Sequence, residues 1–212
     1  MRTYFAVSCQ YRYSFCCEDT KIISNRHHFG WGFIDYLEFI LYCSRFFVPL
    51  PPEMSKEAKH RILFVCHGNI CRSPMAEFVM KDLVSKAGLE DSFMIESAAT
   101  STEEIGNSVY PPARRKLAEH GIGCAGKTAR QMRRSDYDRY DLLIGMDSWN
   151  IRNMRNICGG DPEGKIVMLM DFTRRPGDVA DPWYTGNFEA TWRDVSDGCQ
   201  ALLDILTKAA LD

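Results

Sequence analysis

One stretch of sixteen residues, LFVCHGNICRSPMAEF at 63–78, limits the folds open to this chain more than any other. RILFV, ending at Val65, reads as a short buried strand, and the residues from Ser73 onward carry a helical period. Between them lie Cys66, His67, Gly68, Asn69, Ile70, Cys71 and Arg72. A loop that leaves a strand and enters a helix can turn successive backbone N–H groups inward, at the positive end of the helix dipole. Gly68 and Asn69 are residue types that take left-handed backbone angles readily, and Arg72 adds a planar fork for two oxygens of one anion. Ser73 and Pro74 suit an N-cap and a first-turn proline. The segment therefore predicts an anion-binding loop, and such a loop favours the reactive thiolate of a cysteine at its centre, here Cys66.

The βα pattern then repeats. Met75, Val79, Met80, Leu83, Val84 and Ala87 make one apolar helical face that Gly88 closes. SFMIESAA (92–99), DLLIGM (141–146) and IVMLM (166–170) read as strands. PPARRKLAEHGI (111–122) reads as a helix with proline at its entry and Gly121 at its exit, SWNIRNMRNIC (148–158) as another, and 187–211 as a last one with Val195, Cys199, Leu202 and Leu206 on one side. Strands alternating with helices predict an α/β fold: a three-layer sandwich whose central four-stranded parallel sheet is flanked by helices, with the phosphate-binding loop after the first strand. Ligands in such sheets bind at the carboxyl ends of the strands, where that loop lies.

Residues 1–53 read differently, with no sustained period, and prolines 49, 51 and 52 separate them from the patterned remainder of the chain. They are expected to be an N-terminal extension, disordered or a mis-assigned start with Met54 as the natural initiator, leaving 54–212 as the domain. Their most apolar part is interrupted by Asp35, Glu38 and Arg45; each would cost roughly 2.5–3.5 kcal/mol near a membrane centre, which argues against membrane association. The start lacks the continuous apolar core of a cleavable signal peptide, so a cytoplasmic, reducing location is expected. A net charge of -2 argues against a nucleic-acid partner, and nine cysteines without a CxxC pair argue against a metal site.

VCHGNICRSPMAE resembles the phosphate-binding loop of the low-molecular-weight protein tyrosine phosphatases. The resemblance continues in SAATSTEEIGN, ARQM, MDSWN and DPWYTGNFEATW and covers about 61–211. It implies hydrolysis of a phosphotyrosine protein or aryl phosphate through a cysteinyl-phosphate on Cys66, with Arg72 holding the phosphate and Asp181, of the DPWY segment, as general acid and then base. No cofactor or metal is implied. Substrate-binding positions would be His67, Gly68, Asn69, Ile70, Cys71 and Ser73, with Trp183 and Tyr184 flanking the ring. Ser97 and His120 would support the loop with Asn69, although His120 alone reads as a helix-end histidine beside Gly121. Asp147 would either bond Arg72 or cap the following helix. Cys71 could form a disulfide with Cys66 under oxidant, or simply pack.

Two positions depart from the family's pattern. Glu103 stands where the loop after the second strand often carries an aromatic residue, and His67 where an aliphatic one is common. An acidic rim is expected to disfavour acidic peptides. Two other functions compete. A thioredoxin-coupled arsenate reductase needs a pair of cysteines close together late in the chain, and Cys124, Cys158 and Cys199 are far apart in sequence. A non-catalytic phosphate-binding module is at odds with an intact Cys66, Arg72 and Asp181.

Overall fold

The computed structural model describes residues 60–208; the expectations for 1–53 and for a start at Met54 lie outside the described residues. Strand β1 (His60–Cys66) pairs in parallel with β2 (Phe93–Ala99) on one side and β3 (Leu142–Gly145) on the other, and β3 pairs with β4 (Ile166–Met168). The order β2-β1-β3-β4 is the expected four-stranded parallel sheet. The helices are α1 (Arg72–Lys86), α2 (Pro111–Glu119), α3 (Asp136–Arg139), α4 (Ser148–Cys158), α5 (Pro182–Thr185) and α6 (Phe188–Lys208).

The period of two in β1 divides the core into two layers. Ile62, Phe64 and Cys66 face Met75, Val79 and Met80 of α1 and Val195 and Leu202 of α6, whereas Leu63 and Val65 face Met154, Cys158, Tyr137 and Tyr140. All four residues of β1 from Ile62 to Val65 are fully buried, the mark of a strand covered on both faces. Burying each such side chain contributes about 1.5–3 kcal/mol. Chain order fixes the site: from β1 the chain moves to β2 on one side, then crosses to β3 on the other. The loop after β1 therefore sits at the switch point, between the loops that leave β2 and β3.

Several ends differ from the sequence reading. Strand β4 stops at Met168, because Leu169–Phe172 curl into a 3-10 turn and Leu169 packs into α6 at Gly198. A β-carbon on Gly198 would lie 2.5 Å from Leu169 Cγ, so only glycine permits that approach. Helix α2 ends at Glu119, with Gly121 left-handed just beyond it at φ 76°. Helices α3 and α5 are single turns that no periodicity announces. Among the described residues no helix is long and apolar enough to cross a membrane.

Candidate functional site

The loop 66–72 takes its shape from where its carbonyls go. Those of Cys66, His67, Ile70 and Cys71 accept from the amides of Thr100, Ser101, Tyr110 and Met75. Within the described residues no hydrogen bond takes up the amides of Gly68, Ile70 or Cys71, which leaves them for an anion. Asn69 supplies the left-handed turn at φ 57°, and its amide donates to Cys66 Sγ at 3.3 Å. Gly68 does not take a left-handed angle, contrary to expectation. It is needed for space instead: a β-carbon there would lie 3.2 Å from Glu104 Cγ.

Ser73 is not the N-cap. Helix α1 begins at Arg72 with Cys71 in the cap position and no side-chain cap, and the Ser73 hydroxyl lies 3.1 Å from Cys66 Sγ. The reason is a buried network beneath the thiol. Asn69 Nδ2 donates to Ser73 Oγ and to Ser97 Oγ, both at 2.8 Å, so the Ser73 proton is directed either to the Ala98 carbonyl at 3.4 Å or to the sulfur. Ser97 in turn donates to Glu77 Oε2 at 2.6 Å. Glu77, only 4% exposed, is neutralised by Lys81 at 2.5 Å and Lys127 at 3.0 Å, and Lys127 also donates to the Ser97 carbonyl. A buried carboxylate needs such partners.

Ser97 joins the network under the loop with Asn69, whereas His120 lies in a different contact. Its ring stacks on Trp192, centroids 3.8 Å apart, at the end of α2. Glu77 and Lys127, which sequence reasoning missed, hold Ser97 in its stead. Glu77 lies four residues after Ser73 and so shares its helical face, a signal that could have found it. Lys127 has no local signal, because it meets Glu77 only through the tertiary fold.

Arg72 is 3% exposed and joins three elements. One nitrogen donates to Asp147 Oδ2 and the other to Asp181 Oδ2, each at 2.5 Å. The other oxygen of Asp147 accepts from the Asn150 amide and caps α4, so the bond to Arg72 and the cap coexist. Burial works against the charged guanidinium, but the nearby Cys66, Asp181 and Asp147 outweigh it and raise its pKa above the ordinary value. Asp181 also caps α5, its Oδ1 accepting from Trp183 at 3.0 Å. Burial, together with Cys66 and Asp181, pushes the Cys71 thiol up to about 12, so Cys71 is a neutral thiol near pH 7.

Cys66, His67, Gly68, Ile70, Cys71, Arg72, Glu103, Glu104, Asp181, Trp183 and Tyr184 line one cleft of ≈ 130 Å³. That is smaller than the roughly 300–1,000 Å³ of pockets that swallow whole ligands, so the cleft suits a small anionic group, with the rest of a substrate outside. The five cysteines among the described residues are free and buried. Cys158 lies in a different core layer from Cys124 and Cys199. Among the described residues no cluster of three or more histidine, cysteine or carboxylate side chains could hold a metal ion.

Comparison with known proteins agrees with this geometry. A family model described as "Low molecular weight phosphotyrosine protein phosphatase" matches residues 61–211. The chain is 40% identical over 149 residues to low molecular weight protein-tyrosine-phosphatase YfkJ of Bacillus subtilis, covering 69% of this chain and 96% of that one. It is 35% identical over 157 residues to the low molecular weight phosphotyrosine protein phosphatase of Sus scrofa, covering 71% and 98%. The crystal structure of YfkJ superposes with a TM-score of 0.70 over 72% of this chain and 97% of that chain, at 39% identity. That of SP-PTP from Streptococcus pyogenes gives 0.63 over 69% and 93%, at 42% identity.

Proposed function

The chain belongs to the low molecular weight phosphotyrosine protein phosphatase family and is a protein-tyrosine-phosphatase, and on that premise we propose a two-step hydrolysis carried by Cys66, Arg72 and Asp181. The substrate is a phosphotyrosine protein or aryl phosphate, and the catalytic domain is taken to run from 54 to 212. The observation that carries this reading is the meeting of a thiol, a buried guanidinium and a carboxyl group in one cleft.

In the first step the substrate phosphate takes the Arg72 fork and the free loop amides, displacing Asp181 from the guanidinium, and the freed carboxylate takes up a proton from solvent. Cys66 attacks phosphorus as the thiolate, opposite the phenolic oxygen, while the P–O bond breaks and Asp181 gives its proton to the departing oxygen. In the second, Asp181 takes a proton from water as that water attacks the cysteinyl phosphate. The P–S bond breaks, and Ser73, 3.1 Å from Sγ, donates to the thiolate released. Arg72 and the amides stabilise the equatorial oxygens in both steps. Ile70 and Cys71 wall the cleft, and Trp183 and Tyr184, 54% and 84% exposed, offer flat surface to the ring.

Steady-state hydrolysis of para-nitrophenyl phosphate by the full chain tests this reading. Vanadate-sensitive turnover that disappears in Cys66→Ser is the expected outcome. Turnover that survives in Cys66→Ser, or none from a folded wild-type chain, would overturn it.

A further inference from the structure

A cleft of ≈ 130 Å³ leaves the residues that flank a phosphotyrosine outside, on a rim made by His67, Glu103, Glu104, Trp183 and Tyr184. The charges of this rim are unbalanced. Among the described residues Arg72 is the only lysine or arginine that lines the cleft, and its fork is already engaged at the floor by Asp147 and Asp181. Glu103 is exposed and, among the described residues, its carboxylate meets only the imidazole of His67, Nε2 to Oε2 at 3.1 Å. Glu104, which sequence reasoning passed over, has no lysine, arginine or histidine within ion-pair distance among the described residues. Its Oε2 accepts from Asn107 Nδ2 at 2.7 Å, and its Cγ lies close over Gly68. The carboxylate is therefore held by an amide and not neutralised by a cation, which lowers the ordering cost of receiving one. Trp183 and Tyr184 add exposed aromatic faces on the same cleft, to which a guanidinium or ammonium is attracted.

We propose that Glu104, assisted by Glu103, forms a cation seat at the mouth of the cleft that selects phosphotyrosine flanked by lysine or arginine. The proposal rests on the phosphatase reading above and names its substrate class. An acidic neighbour would instead face two carboxylates and be repelled. Exposed charge pairs are individually weak, so the two carboxylates and the aromatic faces together are expected to yield about a tenfold preference.

The test uses the full chain and three phosphotyrosine peptides identical except for lysine, alanine or glutamate on either side of the phosphotyrosine. The expected kcat/KM order is lysine, alanine, glutamate, with about tenfold between the extremes at low salt and a shrinking ratio at about 0.5 M salt, where the Debye length falls to a few ångströms. Glu104→Gln keeps an acceptor for Asn107 and should bring the ratio near one; Glu104→Lys should invert it, and Glu103→Gln should reduce it less. Equal rates on the three peptides, or a ratio that Glu104→Gln and Glu104→Lys both leave unchanged in folded protein, would overturn the seat. Para-nitrophenyl phosphate, which has no flanking residues, separates the two failures. Turnover of it by wild type alongside equal peptide rates removes the seat alone; no turnover of it removes the phosphatase reading and the seat with it.

Discussion

The floor beneath Cys66 and the Asp-Pro turn beside it are built by opposite means. On the floor, Asn69, Ser73, Ser97 and Glu77 are all at most 4% exposed, and each polar group has a partner. The turn is one helical turn long. It is capped by its own Asp181 and ended by a left-handed Gly186 at φ 66°, and it carries the exposed Trp183 and Tyr184. It is tied down by side-chain contacts: Arg72 holds Asp181, the Trp183 ring lies against Tyr110 with centroids 5.1 Å apart, and Thr191 Oγ1 donates to the Ala180 carbonyl at 3.0 Å. Under the mechanism proposed above, the difference reflects two tasks. A loop that binds phosphate through fixed amides must not relax, because misplaced donors stabilise nothing. A carboxyl that passes from a guanidinium partner to a leaving-group oxygen and then to water must be able to shift. Stability should therefore reside in the floor and turnover in the turn.

The largest effect expected from this division is on rate alone. Asp181→Ala should lower kcat on para-nitrophenyl phosphate by about 10²–10⁴-fold, while thermal unfolding changes little because Asp147 still pairs with Arg72. A comparable fall in both would join the two regions again. Glu77→Ala attacks the other side. It strands Lys127, whose side chain is 12% exposed, and removes the acceptor of Ser97. Breaking such a buried pair should cost about 3 kcal/mol in a urea titration, with a smaller loss of kcat per folded molecule than Asp181→Ala produces. A cost under about 1 kcal/mol would mean that the floor is not where stability lies.

The sequence made the turn's chemistry and the floor's location readable in unequal parts. The strands could be read because β1 is apolar on both faces, and the loop because cysteine, arginine and a proline-bearing helix start converge within nine residues. Ser73 reads locally as a cap because serine before proline at a helix start has that meaning; its partners are instead Asn69, the Ala98 carbonyl and a sulfur seven residues back. Glu77 with Lys81 has the spacing of a solvent-exposed pair, and only the closing of β2 and residue 127 around it shows that the carboxylate is buried. Glu104 is overshadowed by Glu103, since sequence gives no sign of which of two adjacent glutamates lacks a cation. Each of these depends on contacts between residues that chain spacing does not relate.

Cys71 lies between the two regions and gives a pH-dependent test of the division. Its folded value of about 12 lies above the ordinary 9.0 because it is buried and faces Cys66 and Asp181. Between those pH values the unfolded chain releases a proton that the folded chain keeps. Stability from this group is therefore intact below pH 9 and falls by about 1.4 kcal/mol per pH unit above it. Cys124, Cys158 and Cys199 are also raised by burial and steepen the decline. In Cys71→Ala the slope measured by urea unfolding from pH 8.5 to 10.5 should be shallower by about 1 kcal/mol per pH unit, because the unfolded thiol is only partly ionised near pH 9; an unchanged slope would show that Cys71 ionises freely.

The smallest expected effect is the sharpest test of the turn. Gly186 ends α5 in the left-handed region, and a β-carbon there meets nothing within 4 Å. Gly186→Ala therefore adds backbone strain and no clash, about 1–2 kcal/mol. If the turn is loosely tied, it will relieve that strain locally by displacing Trp183, Tyr184 and the Asp181 carboxyl. KM for a phosphotyrosine peptide should then rise and kcat fall a fewfold, with the urea midpoint nearly unmoved. Strain that cannot be relieved locally must appear as lost global stability. A full shift of the midpoint with unchanged kinetics would mean that the turn is locked into the domain as firmly as the floor, and that release of Asp181 from Arg72 requires no movement of its backbone.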